Sequence, residues 1–133
     1  MPPQALQAER AVLAAMMLGQ EAVGRAVESI GENAFYRTSH QKIFGAIVAL
    51  YNKREAVDLI TVNEELRKLG DLEAVGGPAY VAGVFEEATT AANIDAHLKI
   101  VAEKALLRQL IKATTEVQQM CYAANEEASA IID

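Results

Sequence analysis

"VAEKALLRQLIKATTEVQ", residues 101–118, decides how this chain is built. It lies within a stretch from Asn93 to Tyr122 that holds neither Pro nor Gly, so one unbroken helix is predicted there. At about 1.5 Å of rise per residue, such a helix is roughly 45 Å long. A compact globule of 133 residues has a radius of gyration of about 14 Å and a diameter of about 36 Å. The helix is longer than the body that carries it and should overhang.

Two apolar seams run along this helix. Ile94, Leu98, Val101 and Ala105 step by 4, 3 and 4, and Leu107, Leu110, Thr114, Val117 and Cys121 step by 3, 4, 3 and 4. Each is a coiled-coil-like seam, and the register slips between them at Leu106. The first is expected to lie on the globular body. The second needs another cover, first a returning helix and then a second molecule. A turn near Ala124-Asn125 followed by the start of that returning helix fits "AANEEASAIID". The alternative is a bend near Lys104 that keeps the helix on its own body. The expected organisation is a globular helical unit over residues 1–92 and a protruding hairpin over 93–133, its second helix cut short.

The rest of the chain also reads as all-α. Leu6, Val12, Leu13, Met16 and Met17 recur at helical spacing after Pro2-Pro3, with Gly19 as the stop. A second helix is predicted from Glu21 to Ile30, and Phe35 and Tyr36 should pin the following connection to the core. Thr38 with Gln41, and Thr61 with Glu64, have capping-box spacing. They predict helices over Ser39–Tyr51 and from Thr61 to Gly70, with "AVDLI" extended between them. Gly76-Gly77 breaks the chain before a helix opened by Pro78, and "TTAAN" reads as the turn into the long helix.

Composition narrows the function. Hydrophobic residues make up 52% of the chain, enough for a real core, and the 12 basic against 18 acidic residues give a net charge of −6. That balance leans against duplex DNA as the direct partner, because phosphate neutralisation dominates such affinity. One cysteine, Cys121, permits no internal disulfide and suits a reducing cytoplasm. No signal-peptide pattern and no bilayer-length apolar run is legible, so a cytoplasmic protein without a membrane segment is expected.

Catalytic groups do not cluster. His40 and His97 lack helical-spacing partners for a metal and read as surface or satisfied helical histidines. Cys121 sits on an apolar seam, and the adjacent glutamates of 64–65, 86–87 and 126–127 face apart on a helix. No phosphate-binding glycine loop is present. No catalytic, cofactor or metal residue is therefore assigned. Lys104, Arg108 and Lys112 form a basic line at i, i+4 and i+8, which reads either as a solvated face or as a dock for an acidic helix. Tyr80, just after the Gly-Gly-Pro start, suits an interface anchor or the core.

Several stretches taken together carry more. "PPQALQAERAVLAAMML", "FYRTSHQKIFGAIVALY", "VDLITVNEELRKLGDLEAVGGPAYV" and "TAANIDAHLKIVAEKALLRQLI" resemble, in order, the N-terminal domain of bacterial replicative helicases of the DnaB type. The resemblance implies a non-catalytic collar domain of the primosome, with ATP and Mg bound only by a RecA-like ATPase domain absent from this chain. The parent would be an ATP-dependent replicative DNA helicase at the replisome. It also implies hairpin-mediated dimers in a trimer-of-dimers collar, and docking of the primase C-terminal domain or a helicase loader, with little direct DNA contact. Primase-facing positions would be Gln7, Tyr80, Ile111 and Val117, with Lys104, Arg108 and Lys112 shaping the field. Self-association would use Leu107, Leu110, Thr114, Val117 and Cys121. A small helical single-stranded nucleic-acid-binding module is the competing reading; it would need a basic face.

Overall fold

The apolar stripes of the first and third helices meet at the centre of the molecule. In the computed structural model, which describes residues 1–87 and 93–132, the chain forms α1 (Leu6–Met16), α2 (Gln20–Ser29), a 3-10 turn (Glu32–Ala34), α3 (Thr38–Asn52), α4 (Leu59–Lys68), α5 (Gly77–Glu86) and α6 (Ile94–Ile132). No strand occurs among the described residues. Helix α1 is the hub, packing on α2, α3, α5 and α6, while α4 packs on α3 and α5. Val12, Leu13 and Met16 of α1 bury against a cluster with Ile43 and Ile47 of α3, Leu66 of α4, Val81 of α5 and Leu98 and Val101 of α6. Each such side chain contributes roughly 1.5–3 kcal/mol on burial.

Helix starts differ from the expected ones for identifiable reasons. The cap of α4 is Asp58, whose carboxylate accepts from the Thr61 N–H at 2.9 Å while Thr61 Oγ1 accepts from the Asp58 N–H at 2.9 Å. The box therefore closes three residues earlier than the Thr61–Glu64 pair, because a carboxylate at the N-terminus outcompetes a hydroxyl. Of the expected extended "AVDLI", Leu59 and Ile60 become helix, while Asp58 stays extended as the cap. The Thr38–Gln41 box does not form: Thr38 is already helical, and Gln41 instead donates to the Phe35 carbonyl at 2.8 Å. Of the aromatic pair only Phe35 enters the core, its ring tilted against that of Phe44; Tyr36 is 39% exposed. The "TTAAN" turn lies outside the described residues except for Asn93.

Helix α6 runs continuously for 39 residues, about 58 Å. It passes Lys104 without a break, and its first seam, Ile94, Leu98, Val101 and Ala105, is buried as the spacing requires. Arg108 fastens the point of departure, donating to the Pro3 carbonyl at 2.8 Å and the Ala34 carbonyl at 2.7 Å. From Gln109 to Ile132 every residue is exposed. The turn expected at Ala124-Asn125 is absent, so no returning helix begins before Ile132. Ala123, Ala124, Glu126, Glu127 and Ala128 are strong helix formers, and one Asn costs well under about 1 kcal/mol, too little to end a helix without Gly or Pro. No helix of the described residues is long and apolar enough to cross a membrane.

Candidate docking surface

Among the described residues three polar side chains are buried, Glu9, His40 and Glu65, and the first two meet each other. Glu9 lies three and four residues before Val12 and Leu13 on the buried stripe of α1, and His40 holds the same relation to Ile43 and Phe44 on α3. Glu9 is 1% exposed and His40 0%. Glu9 Oε2 accepts from the Tyr36 N–H at 2.7 Å, and Oε1 accepts from the Arg37 N–H at 3.4 Å and contacts His40 Nδ1 at 2.7 Å. Burial pushes the Glu9 carboxyl up, but the hydrogen bonds from His40 and from the Tyr36 and Arg37 N–H groups outweigh it and hold Glu9 below its ordinary value. An ionised carboxylate only accepts, so His40 donates to it from Nδ1, while Nε2 lies 2.6 Å from the Tyr80 hydroxyl in a second hydrogen bond.

Tyr80 is thereby tied to the interior by its oxygen while its ring is half-buried. The ring stacks on His40 with centroids 6.0 Å apart, and the Arg37 guanidinium carbon lies 5.3 Å from its centroid. The neighbouring Tyr36 ring carries Arg108 at 5.4 Å. The chain reaches Tyr80 through Gly76, whose φ of +113 suits glycine and whose missing Cβ leaves room, since one would lie 2.9 Å from Tyr80 Cβ.

The residues singled out from the sequence fall into separate groups. Gln7 is exposed and shares a shallow groove with His97 and Ile100, apart from the Tyr80 network. Ile111 and Val117 are 51% and 58% exposed on the overhang, beside exposed Leu107, Leu110 and Cys121. Thr114 turns its hydroxyl back onto the Leu110 and Ile111 carbonyls. The basic line is interrupted, because Arg108 spends its guanidinium on backbone carbonyls while Lys104 is half-buried and Lys112 exposed. His40 is a satisfied histidine, one of the two readings expected. Glu9, Tyr36 and Arg37 were not identified from the sequence as candidates. The legible signal was the register of Glu9 and His40, each at a core position of its helix.

With this geometry in place, comparison with known proteins decides the family. The family described as DnaB-like helicase N terminal domain matches residues 1–103. This chain belongs to that family. The replicative DNA helicase DnaB of Rhodothermus marinus is 42% identical over 132 residues, 99% of this chain and 14% of that protein. The replicative DNA helicase DnaC of Bacillus subtilis is 42% identical over 99% of this chain and 29% of its own length. The chain thus spans well under a third of these relatives. The crystal structure of the N-terminal domain of DnaB helicase from Mycobacterium tuberculosis superposes with a TM-score of 0.91 at 42% identity, covering 95% of this chain and 90% of that one. The all-α fold of this DnaB-type domain matches that neighbour, and the family read from the sequence stretches is the family found.

Proposed function

We propose that this chain is the assembly and docking domain of a replicative DNA helicase, without catalysis of its own, the ATP-dependent unwinding residing in a further domain of the parent. The observation that carries this reading is the overhang. The body closes its core without the stretch of α6 beyond Leu106, which holds Leu107, Leu110, Ile111, Val117, Met120 and Tyr122 in solvent. Apolar surface of that extent marks a contact site. One face, Leu107, Leu110, Thr114, Val117 and Cys121, takes a second protomer. The C-terminal domain of primase docks through Tyr80, Ile111 and Val117 with Gln7 at the rim, and Lys104 and Lys112 steer its approach.

The test is a calorimetric titration of this chain with the primase C-terminal domain of the same organism. Saturable binding is expected. Ile111→Asp with Tyr80→Ala should weaken it by more than about tenfold, roughly 1.4 kcal/mol, with the far-UV circular dichroism unchanged. Unchanged affinity in that double variant removes this surface. No binding by the wild type removes primase docking and leaves assembly, which sedimentation tests separately.

A further inference from the structure

The chain carries a net charge of −6, yet Arg37, Arg54, Lys68, Lys99 and Lys112 are exposed with no carboxylate in ion-pair contact among the described residues, and of these Arg37 lies over an aromatic ring. Among the described residues no acidic side chain pairs with Arg37, although Arg10, Arg25, Lys42, Lys53 and Arg67 each have one. Arg37 lies instead over the Tyr80 ring. Next to it, Arg108 lies over the Tyr36 ring, and its other partners are neutral carbonyls, so its charge is not cancelled. Two guanidinium–tyrosine stacks therefore sit side by side, joined through the Tyr36-Arg37 peptide.

This patch is fixed from below. Glu9 holds the Tyr36 and Arg37 N–H groups, and His40, itself held by Glu9, is hydrogen-bonded to the Tyr80 hydroxyl. One buried carboxylate thus sets both the backbone that carries Arg37 and the ring on which Arg37 rests. Such preorganisation removes much of the ordering cost that a partner would otherwise meet. Tyr and Arg are also the residue types that most often anchor interfaces.

We propose that Tyr36, Arg37 and Tyr80 form a cation–aromatic contact patch, positioned by Glu9 and His40, that receives a carboxylate-bearing segment of the docking partner. The partner's charge follows from complementarity. A guanidinium fork with no acidic partner accepts a carboxylate bidentately, and the flanking rings take the apolar side chains beside it. The proposal rests on the docking reading above and adds Arg37 and Tyr36 as contacts, with Glu9 and His40 acting only through Tyr80 and the Tyr36-Arg37 peptide.

The experiment titrates this chain and its variants with the primase C-terminal domain at low and moderate salt. Arg37→Glu should weaken binding by about tenfold or more and Arg37→Lys by about threefold, since an ammonium keeps the charge but loses the fork. Both changes are on the surface and leave the core intact. Glu9→Gln, out of the partner's reach, should weaken binding severalfold in the wild-type background and have little further effect once Arg37 and Tyr80 are both alanine. Wild-type affinity in Arg37→Glu, with Tyr80→Ala still impaired, overturns the patch and leaves docking standing. A Glu9→Gln loss that persists without Arg37 and Tyr80 overturns the positioning role. Failure of the wild type to bind overturns docking and the patch together.

Discussion

Glu9 shows how one residue can be both a cost and an organiser. A carboxylate 1% exposed survives in a helical core because three donors converge on it, from His40, Tyr36 and Arg37. Its folded-state pKa is depressed, so the folded state sheds its proton more readily than an unfolded glutamate with a pKa of about 4.3. The charged form's contribution is complete above the unfolded value and is lost as pH falls through the folded one. Glu9→Gln should therefore cost roughly 2 kcal/mol at neutral pH, through imperfectly satisfied donors, and the gap to wild type should narrow below about pH 4. Urea unfolding across a pH series measures this, and a pH-independent gap would assign Glu9's role to shape rather than charge. The pairing was half legible. Position on the apolar stripes of α1 and α3 was readable for Glu9 and His40, but sequence spacing does not reveal which buried donor meets which buried acceptor 31 residues away.

At the scale of elements, the helices could be read from their apolar faces, whereas their ends depended on competition between caps. Ile94, Leu98, Val101 and Ala105 were placed on the body by spacing alone, and they are buried there. The α4 start went to Asp58 because two local caps competed and the charged one won. The α3 start was set from outside the segment, by Glu9 holding Tyr36 and Arg37 ahead of Thr38. The entry to α5 couples element and site. Gly76 and Gly77 both have positive φ, but only at Gly76 would a Cβ collide, 2.9 Å from Tyr80 Cβ. Gly77→Ala should cost about 1–2 kcal/mol of backbone strain. Gly76→Ala should cost more, up to roughly 3 kcal/mol, and should also displace Tyr80 from His40. Thermal melts with the Tyr80 ring resonances read out both effects. Equal costs with an unmoved ring would show that the loop, not Tyr80, absorbs the added methyl.

The whole molecule is defined by a mismatch between a body of helices and a longer α6. The mismatch was legible from length alone, while the end of α6 was not. A turn at Ala124-Asn125 has no local signal strong enough to stop a run of Ala and Glu, so what closes or covers this helix must come from contacts beyond it. Residues 109–132 form an exposed helix without tertiary support. It is held only by propagation from the anchored first part of α6, which gains little per residue in water, so its far end should fray. Association of the strip containing Leu110 and Val117 would supply the missing burial, so helicity here should depend on protein concentration. Far-UV ellipticity should rise from dilute to concentrated solution. Amide exchange beyond Lys112 should slow in parallel, while exchange in α1 and α3 stays constant. Val117→Asp, on the surface and remote from the core, should abolish the rise. If the helix is fully formed at every dilution and the protein sediments as a monomer throughout, the strip is not a self-association surface. The exposed apolar residues would then belong entirely to a different partner.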